Sequence, residues 1–141
     1  MLIVLIIFQG MDASVCCYYP NEMKLEWAGA HNPLWIIRDG NIIEYKSDWQ
    51  SIGKNENIQP FTNHQISLQK GDTIYVFSDG YADQFSETIE EKLTKKGFRN
   101  ILLSIQDKPM EQQREELKNL HNHRKGKIEQ TDDICVIGVR V

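Results

Sequence analysis

The sequence is short of the features that decide a protein's class at sight. Its 141 residues hold three cysteines and four prolines. The longest hydrophobic run is residues 1–8, MLIVLIIF. The cysteines are odd in number and form no CxxC pair. Cys16 and Cys17 are neighbours, so on a strand they face opposite sides and cannot hold one metal together. In apolar β-like surroundings Cys16, Cys17 and Cys135 read as small core hydrophobes, which fits a reducing, cytoplasmic compartment. Four prolines without a repeat exclude a collagen-like or low-complexity chain. An eight-residue run is too short for a bilayer, which needs ~20 residues as a helix. It also lacks the basic flank and the small-x-small site of a secretory signal. Excess positive charge is missing too: 16 basic residues against 20 acidic ones leave a net charge of −4. That balance excludes a nucleic-acid coat, which needs cations to neutralise phosphates. No Walker A, Gly-x-Ser-x-Gly or dinucleotide-binding glycine pattern occurs. His31, His64, His121 and His123 lack zinc spacing, and His121 and His123 are two apart, so they read as part of a solvated helix face.

What is present suits one compact domain, or a large piece of one, with 40% apolar residues. Residues 14–19 (SVCCYY) read as a strand stopped by Pro20 and Asn21. Residues 24–27 alternate polar and apolar and form a second strand, with PNEM as the turn between them. Residues 34–37 and 42–45 flank Asp39-Gly40, a hairpin signal because both turn residues accept positive φ. Residues 46–64 are polar and irregular and read as a long surface loop. Two more strands, 65–68 and 73–77, are joined through Lys70-Gly71-Asp72. Ser86, Glu87 and Thr88 offer N-caps, with Glu90 or Glu91 in a first turn. Phe98, Ile101, Leu102 and Ile105 recur at helical steps. Pro109 starts a charged helix over 110–123 whose Leu117 and Leu120 face inward, and Gly126 stops it. ICVIGVRV, 134–141, closes the chain as a buried strand. Trp27, Trp35 and Trp49 read as core or near-core anchors rather than a stacking platform. Strands first, helices next and a returning strand give an α+β layout.

Two aspartate placements stand out. In GDTIYVFSDG an apolar strand runs straight into Ser78-Asp79-Gly80, so a carboxylate sits on a rigid element at the mouth of the sheet. Thr131-Asp132-Asp133 sits directly before the last strand. Each is open to a plain reading as a solvated turn, for which Asp-Gly is a favoured pair. The other reading is a hard-oxygen site for Mg²⁺ or Mn²⁺, because both acids flank central-looking strands and adjacent carboxylates repel without a cation between them. AGAHNPLW makes a tight turn between two strands. Side-chain hydrogen bonds of His31 and Asn32 would pin it, unless these residues lie beside a substrate.

Taken in order, AGAHNPLW, GDTIYVFSDGYADQF and EQTDDICVIGVRV resemble the metal-dependent PPM-type serine/threonine phosphatases, and within them the SpoIIE-like bacterial branch. NPLWIIRDGNIIEYK, PFTNHQISLQKGD and LLSIQDKPMEQQ extend the likeness over residues 10–141. The resemblance implies an αββα sandwich of two stacked antiparallel sheets flanked by helices. It implies a Mn²⁺ or Mg²⁺ pair that activates water against phosphoserine or phosphothreonine in bacterial signalling. Asp79 and Asp132 stand where the family has metal-binding aspartates, and Asp133 matches the neighbour of the second. The partner implied is a phosphoprotein, such as an anti-sigma-factor antagonist, with no nucleic acid and no membrane span.

The departures shape the expectation for this chain. The family's first metal-binding aspartate and its Asp-x-Ser/Gly-Gly-His-Gly segment have no counterpart before Met11. Residues 1–9 therefore read as an atypical apolar N-terminus foreign to the fold, and residues 10–141 as the C-terminal two-thirds of the domain. Of the family's entry into the sheet only Gly10-Met11-Asp12 is recognisable. The segment after Phe85 is acidic and helix-prone where relatives carry a basic, glycine-rich loop. Alone, such a chain is expected to be a weak or inactive phosphatase with exposed sheet edge, which a dimer would cover. The alternative is a catalytically inactive fragment, or a pseudophosphatase acting as a binding module.

Overall fold

In the computed structural model two antiparallel hairpins begin the two sheets. The structure describes residues 2–8, 12–53, 59–88 and 91–141, with the backbone alone for 2–8. Gln9 to Met11, residues 54–58 of the long loop, and Ile89-Glu90 lie outside the described residues. β1 (Leu2–Phe8) pairs antiparallel with β2 (Asp12–Tyr19). A short 3-10 turn at Pro20–Glu22 ends with Met23 in the left-handed region, and the chain returns as β3 (Lys24–Ala30). β4 (Leu34–Arg38) and β5 (Asn41–Tyr45) follow. Asp39 and Gly40 both take positive φ, 49° and 73°, as a two-residue hairpin turn requires.

β6 (His64–Ser67) adds to β3, and β7 (Thr73–Phe77) adds to β4. Single-turn α1 (Gly80–Asp83), α2 (Thr94–Ser104) and α3 (Met110–Lys125) lead to β8 (Val136–Arg140) on the far side of β7. The strand orders are β1-β2-β3-β6 and β5-β4-β7-β8. The Ala30–Leu34 turn carries the chain from the first sheet to the second, and the Lys70-Gly71-Asp72 turn does the same between β6 and β7.

Two cores result from strand alternation. Cys16, Leu25, Trp27 and Ile66 of the first sheet meet Leu34, Ile36, Ile74 and Val76 of the second. The other face of the second sheet buries Trp35, Ile37, Tyr75 and Phe77 against Tyr81, Phe98, Leu102, Ile105 and Leu117 of the helices. Trp35 stands edge-on to Phe77, with ring centroids 4.4 Å apart, and Phe98 packs on both. Each fully buried large side chain of this kind contributes roughly 2–3 kcal/mol. This is an α+β fold of two stacked antiparallel sheets with helices. Among the described residues the helices cover one sheet only. No helix among them is long and apolar enough to cross a membrane.

Two buried polar side chains, Asp72 and Gln113, are tied down by several partners. Asp72, buried to 1%, receives Arg38 Nε at 2.9 Å and Nη2 at 2.6 Å, and the Gln69 backbone N–H at 2.8 Å. Burial pushes its carboxyl up, but the Arg38 hydrogen bonds, the Gln69 N–H and the guanidinium charge outweigh this and hold it below the usual range. Tyr75 donates to Gln113 Oε1, and the Gln113 amide donates to the Lys108 carbonyl at 2.9 Å.

Four expectations need correction. Trp49 is not a core anchor but 90% exposed. Leu120 points outward, and Gln113 joins Leu117 as the buried pair of α3. The first long helix starts at Thr94, and Ser86 to Thr88 lie in an irregular stretch instead of capping it. β8 is half-buried, because it lies at the edge of its sheet with β7 as its neighbour. Of the histidines, His123 is exposed, whereas His121 packs its ring on Tyr81 with centroids 5.7 Å apart.

Candidate functional site

β7 ends at Phe77, and the next three residues turn the chain against the start of β8. Ser78 holds the two segments together. Its backbone N–H donates to the Cys135 carbonyl at 3.0 Å, and its hydroxyl donates to the Asp133 carbonyl at 3.0 Å. The same hydroxyl oxygen accepts the Cys135 N–H at 3.0 Å. One buried side chain thus satisfies both strands. Gly80 completes the contact, since a Cβ there would lie 3.0 Å from the Asp133 carbonyl carbon and closer still to its oxygen. Only glycine permits this approach.

Asp79 stands between those two residues, and Asp132 lies on the segment they hold. The carboxyl of Asp79 titrates above its ordinary value, first through burial, then through the charges of Asp132 and Asp83, with Lys95 opposing them. Asp132 and Asp79, remote in sequence, therefore lie within electrostatic reach. Ser78 and Gly80 bring the segments that carry this predicted pair together, and of the two only Asp79 lines the cleft between the sheet edges. Asp133 joins it through its backbone: its carbonyl meets Ser78, and its N–H donates to Asp132 Oδ1 at 2.7 Å. As whole residues Asp133, Asp79 and Asp132 are all exposed, although the Asp79 carboxyl itself is partly shielded from water.

Asp79 opens into a cleft of about 280 Å³ between the edges of the two sheets. Asp12, His31, Asn32, Trp49, Asp83 and Lys95 share its lining. His31 has φ of 59°, a left-handed value uncommon for a residue with a side chain. The backbone bonds that hold it there are Asn32 N–H to the Ala30 carbonyl, 2.7 Å, and His31 N–H to the Asp48 carbonyl, 3.0 Å. Ser14 Oγ donates to the Asn32 carbonyl at 3.3 Å. The turn is pinned mainly through backbone groups, which leaves the His31 and Asn32 side chains on the cleft wall. Lys95 is the one lysine or arginine among the lining residues.

Sequence reasoning missed Asp12, Asp83 and Lys95. Asp83 follows Asp79 by one helical turn, a spacing that would have placed both on one face had a helix been expected at Gly80. Asp12 carries no such signal, because the pairing of Ala13 with Ala30 is what sets it beside His31.

The donor set suits a hard divalent cation: carboxylate oxygens from separate elements, with neighbouring negative charge adding to burial in raising the Asp79 pKa. Among the described residues no three His, Cys, Asp or Glu side chains converge tightly enough to form a closed metal cage. The pair fits as part of a site open to water and substrate. A larger cavity of about 540 Å³ lies between α3 and β8, lined by Tyr75, Gln113, Leu117 and Ile134. Its one carboxylate, Glu111, is paired with Arg114 at 3.0 Å, so the chemistry belongs to the smaller cleft.

Comparison with known proteins bears on the family and the fold. The family model described as stage II sporulation protein E (SpoIIE) matches residues 8–141. The SiaA PP2C domain of Pseudomonas aeruginosa is 25% identical with a TM-score of 0.82, over 92% of this chain and 51% of that one. The PP2C phosphatase domain of SpoIIE from Bacillus subtilis, with a fragment of its regulatory domain, gives a TM-score of 0.72 at 16% identity, over 92% and 37%. The serine/threonine phosphatase PstP/Ppp of Mycobacterium tuberculosis gives 0.63 at 15% identity, over 92% and 59%. The chain thus spans between about a third and three-fifths of these structures. No curated protein sequence matches it.

Proposed function

The chain belongs to the SpoIIE family, and on that premise we propose that it hydrolyses phosphoserine or phosphothreonine in a phosphoprotein, assisted by Mn²⁺ or Mg²⁺. The observation that supports this reading is the contact between the segments that bear Asp79 and Asp132, made by Ser78 and Gly80 against the Asp133 carbonyl. Asp79 and Asp132 would hold the cation, with Asp133 adjacent to them. When bound, the metal lowers the pKa of its water and offsets the charge of the phosphoryl group.

The protein's own groups set the conditions. Asp79 keeps its proton to a higher pH than an ordinary carboxylate, so a cation must compete with that proton. Lys95 presents an ammonium to the cleft, where it attracts a phosphate dianion and partly offsets the carboxylates. Asp83 adds negative charge, moderated by Lys92 at 3.5 Å. The phosphoprotein belongs, on this reading, to a bacterial signalling circuit such as one acting on an anti-sigma-factor antagonist. A cytoplasmic location accords with it.

The test is calorimetric titration of the 141-residue chain with Mn²⁺, alongside hydrolysis of p-nitrophenyl phosphate. Expected are Mn²⁺ binding that weakens at least tenfold in Asp79→Asn and in Asp132→Asn, and slow turnover that needs Mn²⁺ and disappears in Asp79→Asn. Mn²⁺ binding indifferent to both substitutions would refute the proposal.

A further inference from the structure

Trp49 has no part in that chemistry, yet the surrounding loop holds it in place. The Asp48 N–H donates to the Gly29 carbonyl at 2.9 Å, and its carbonyl accepts the His31 N–H. Both Asp48 carboxylate oxygens accept from Thr62, the backbone N–H at 2.7 Å and the hydroxyl at 3.0 Å. Gln50 exchanges two hydrogen bonds with the backbone of Gln59. Ser51 Oγ donates to Asp12 Oδ1 at 2.6 Å. Between these anchored neighbours Trp49 leaves 90% of its surface in water, edge-on to His31 with centroids 4.8 Å apart. Exposing an indole on an immobilised backbone forgoes the hydrophobic gain of burying it. It also lowers the ordering cost of binding something else.

The opposite end of this wall is acidic. His31 Nε2 lies 4.0 Å from Asp12 Oδ1, so Asp12, His31 and Trp49 form one continuous surface on the cleft that holds Asp79. Asp79 is committed to the cation, and Asp83 faces Lys92. Asp12 has no lysine or arginine paired with it among the described residues. An aromatic face beside a carboxylate selects a cation over a plain apolar group. We propose that Asp12 and Trp49 form a subsite for an arginine or lysine close in sequence to the phosphorylated residue of the substrate. Because the subsite and Asp79 line one cleft of about 280 Å³, and extended peptide advances ~3.4 Å per residue, the basic residue is placed about two positions from the phosphate. This inference rests on the phosphoprotein reading and specifies its substrate class.

The test uses the 141-residue chain with Mn²⁺ and fluorescent twelve-residue peptides carrying a phosphonate analogue of phosphoserine, which resists hydrolysis. Arginine, glutamine or leucine stands two positions away, and an unphosphorylated arginine peptide completes the set. Anisotropy should show the arginine peptide binding about fivefold tighter than the glutamine and leucine peptides, as a cation–π contact of ~1 kcal/mol gives. In Trp49→Ala that ratio should fall to about one, and Trp49→Phe should restore part of it. Asp12→Asn should reduce it. Equal or better binding of the leucine peptide, a ratio that survives Trp49→Ala, or no binding of any peptide overturns the inference. If the unphosphorylated peptide binds as well as its phosphonate counterpart while the arginine preference still depends on Trp49, the subsite stands and the phosphatase reading falls.

Discussion

Gly80 lies so close to the carbonyl of Asp133 that no side chain fits between them. That contact sets the gap between the two carboxylate-bearing segments, and with Ser78 it makes the arrangement of Asp79 and Asp132 a property of the backbone.

Gly80→Ala should therefore damage the site more than the fold. The added methyl meets main-chain atoms, which cannot swing aside, so the Asp133 segment must move. A cost of about 1–3 kcal/mol is expected, as for overpacking elsewhere. Urea denaturation should show that loss while far-UV circular dichroism stays unchanged, and Mn²⁺ titration should show weaker binding than wild type.

Asp79 predicts how pH acts. Its folded pKa is raised above 3.8, so in the window just above that value the folded state binds more protons than the unfolded one. Its contribution favours folding at low pH and is lost as pH rises through the folded pKa. A divalent cation reverses the sign, because it binds the ionised pair. The melting temperature should thus rise more with Mn²⁺ at pH 7.5 than at pH 5, and Asp79→Asn should flatten that difference in a thermal-shift series.

Arg38 and Asp72 act the opposite way. Asp72 is depressed below 3.8, so its stabilisation is present above that pH and is lost as pH falls through its folded value. Asp72→Ala leaves the guanidinium without its partner and should cost about 2–3 kcal/mol at pH 7, discounted because Arg38 is 23% exposed. The cost should shrink progressively as pH falls below 3.8, and urea melts at pH 7 and in acid check it.

Local signals account for what the sequence disclosed. Asp39-Gly40 announced its hairpin because positive φ is a property of those two residues, and Pro109 and Gly126 bracketed α3 for similar reasons. The contact between the Ser78–Gly80 and Asp132–Asp133 segments accords with their positions at strand ends. Trp49 was not legible: indole in a polar loop reads as buried until the anchors of Asp48 and Ser51, which depend on β2 and β3, are known. Asp12 needed the register of those same strands. The edge position of β8 could not be read either, since its apolar run looks the same whether one neighbour flanks it or two. Leu120 follows Leu117 by three residues yet is 37% exposed, because its neighbour His121 takes the place against Tyr81.

The seam between Ser78 and Asp133 joins residues 55 positions apart. Closing a segment of that length costs roughly 3–4 kcal/mol in chain entropy, which the helices within it and the docking of β8 must offset. The geometry of the centre is therefore tied to the pairing of β8 with β7. It should also be the first thing lost when that strand frays, with exchange of the Cys135 amide tracking the breathing of the whole centre.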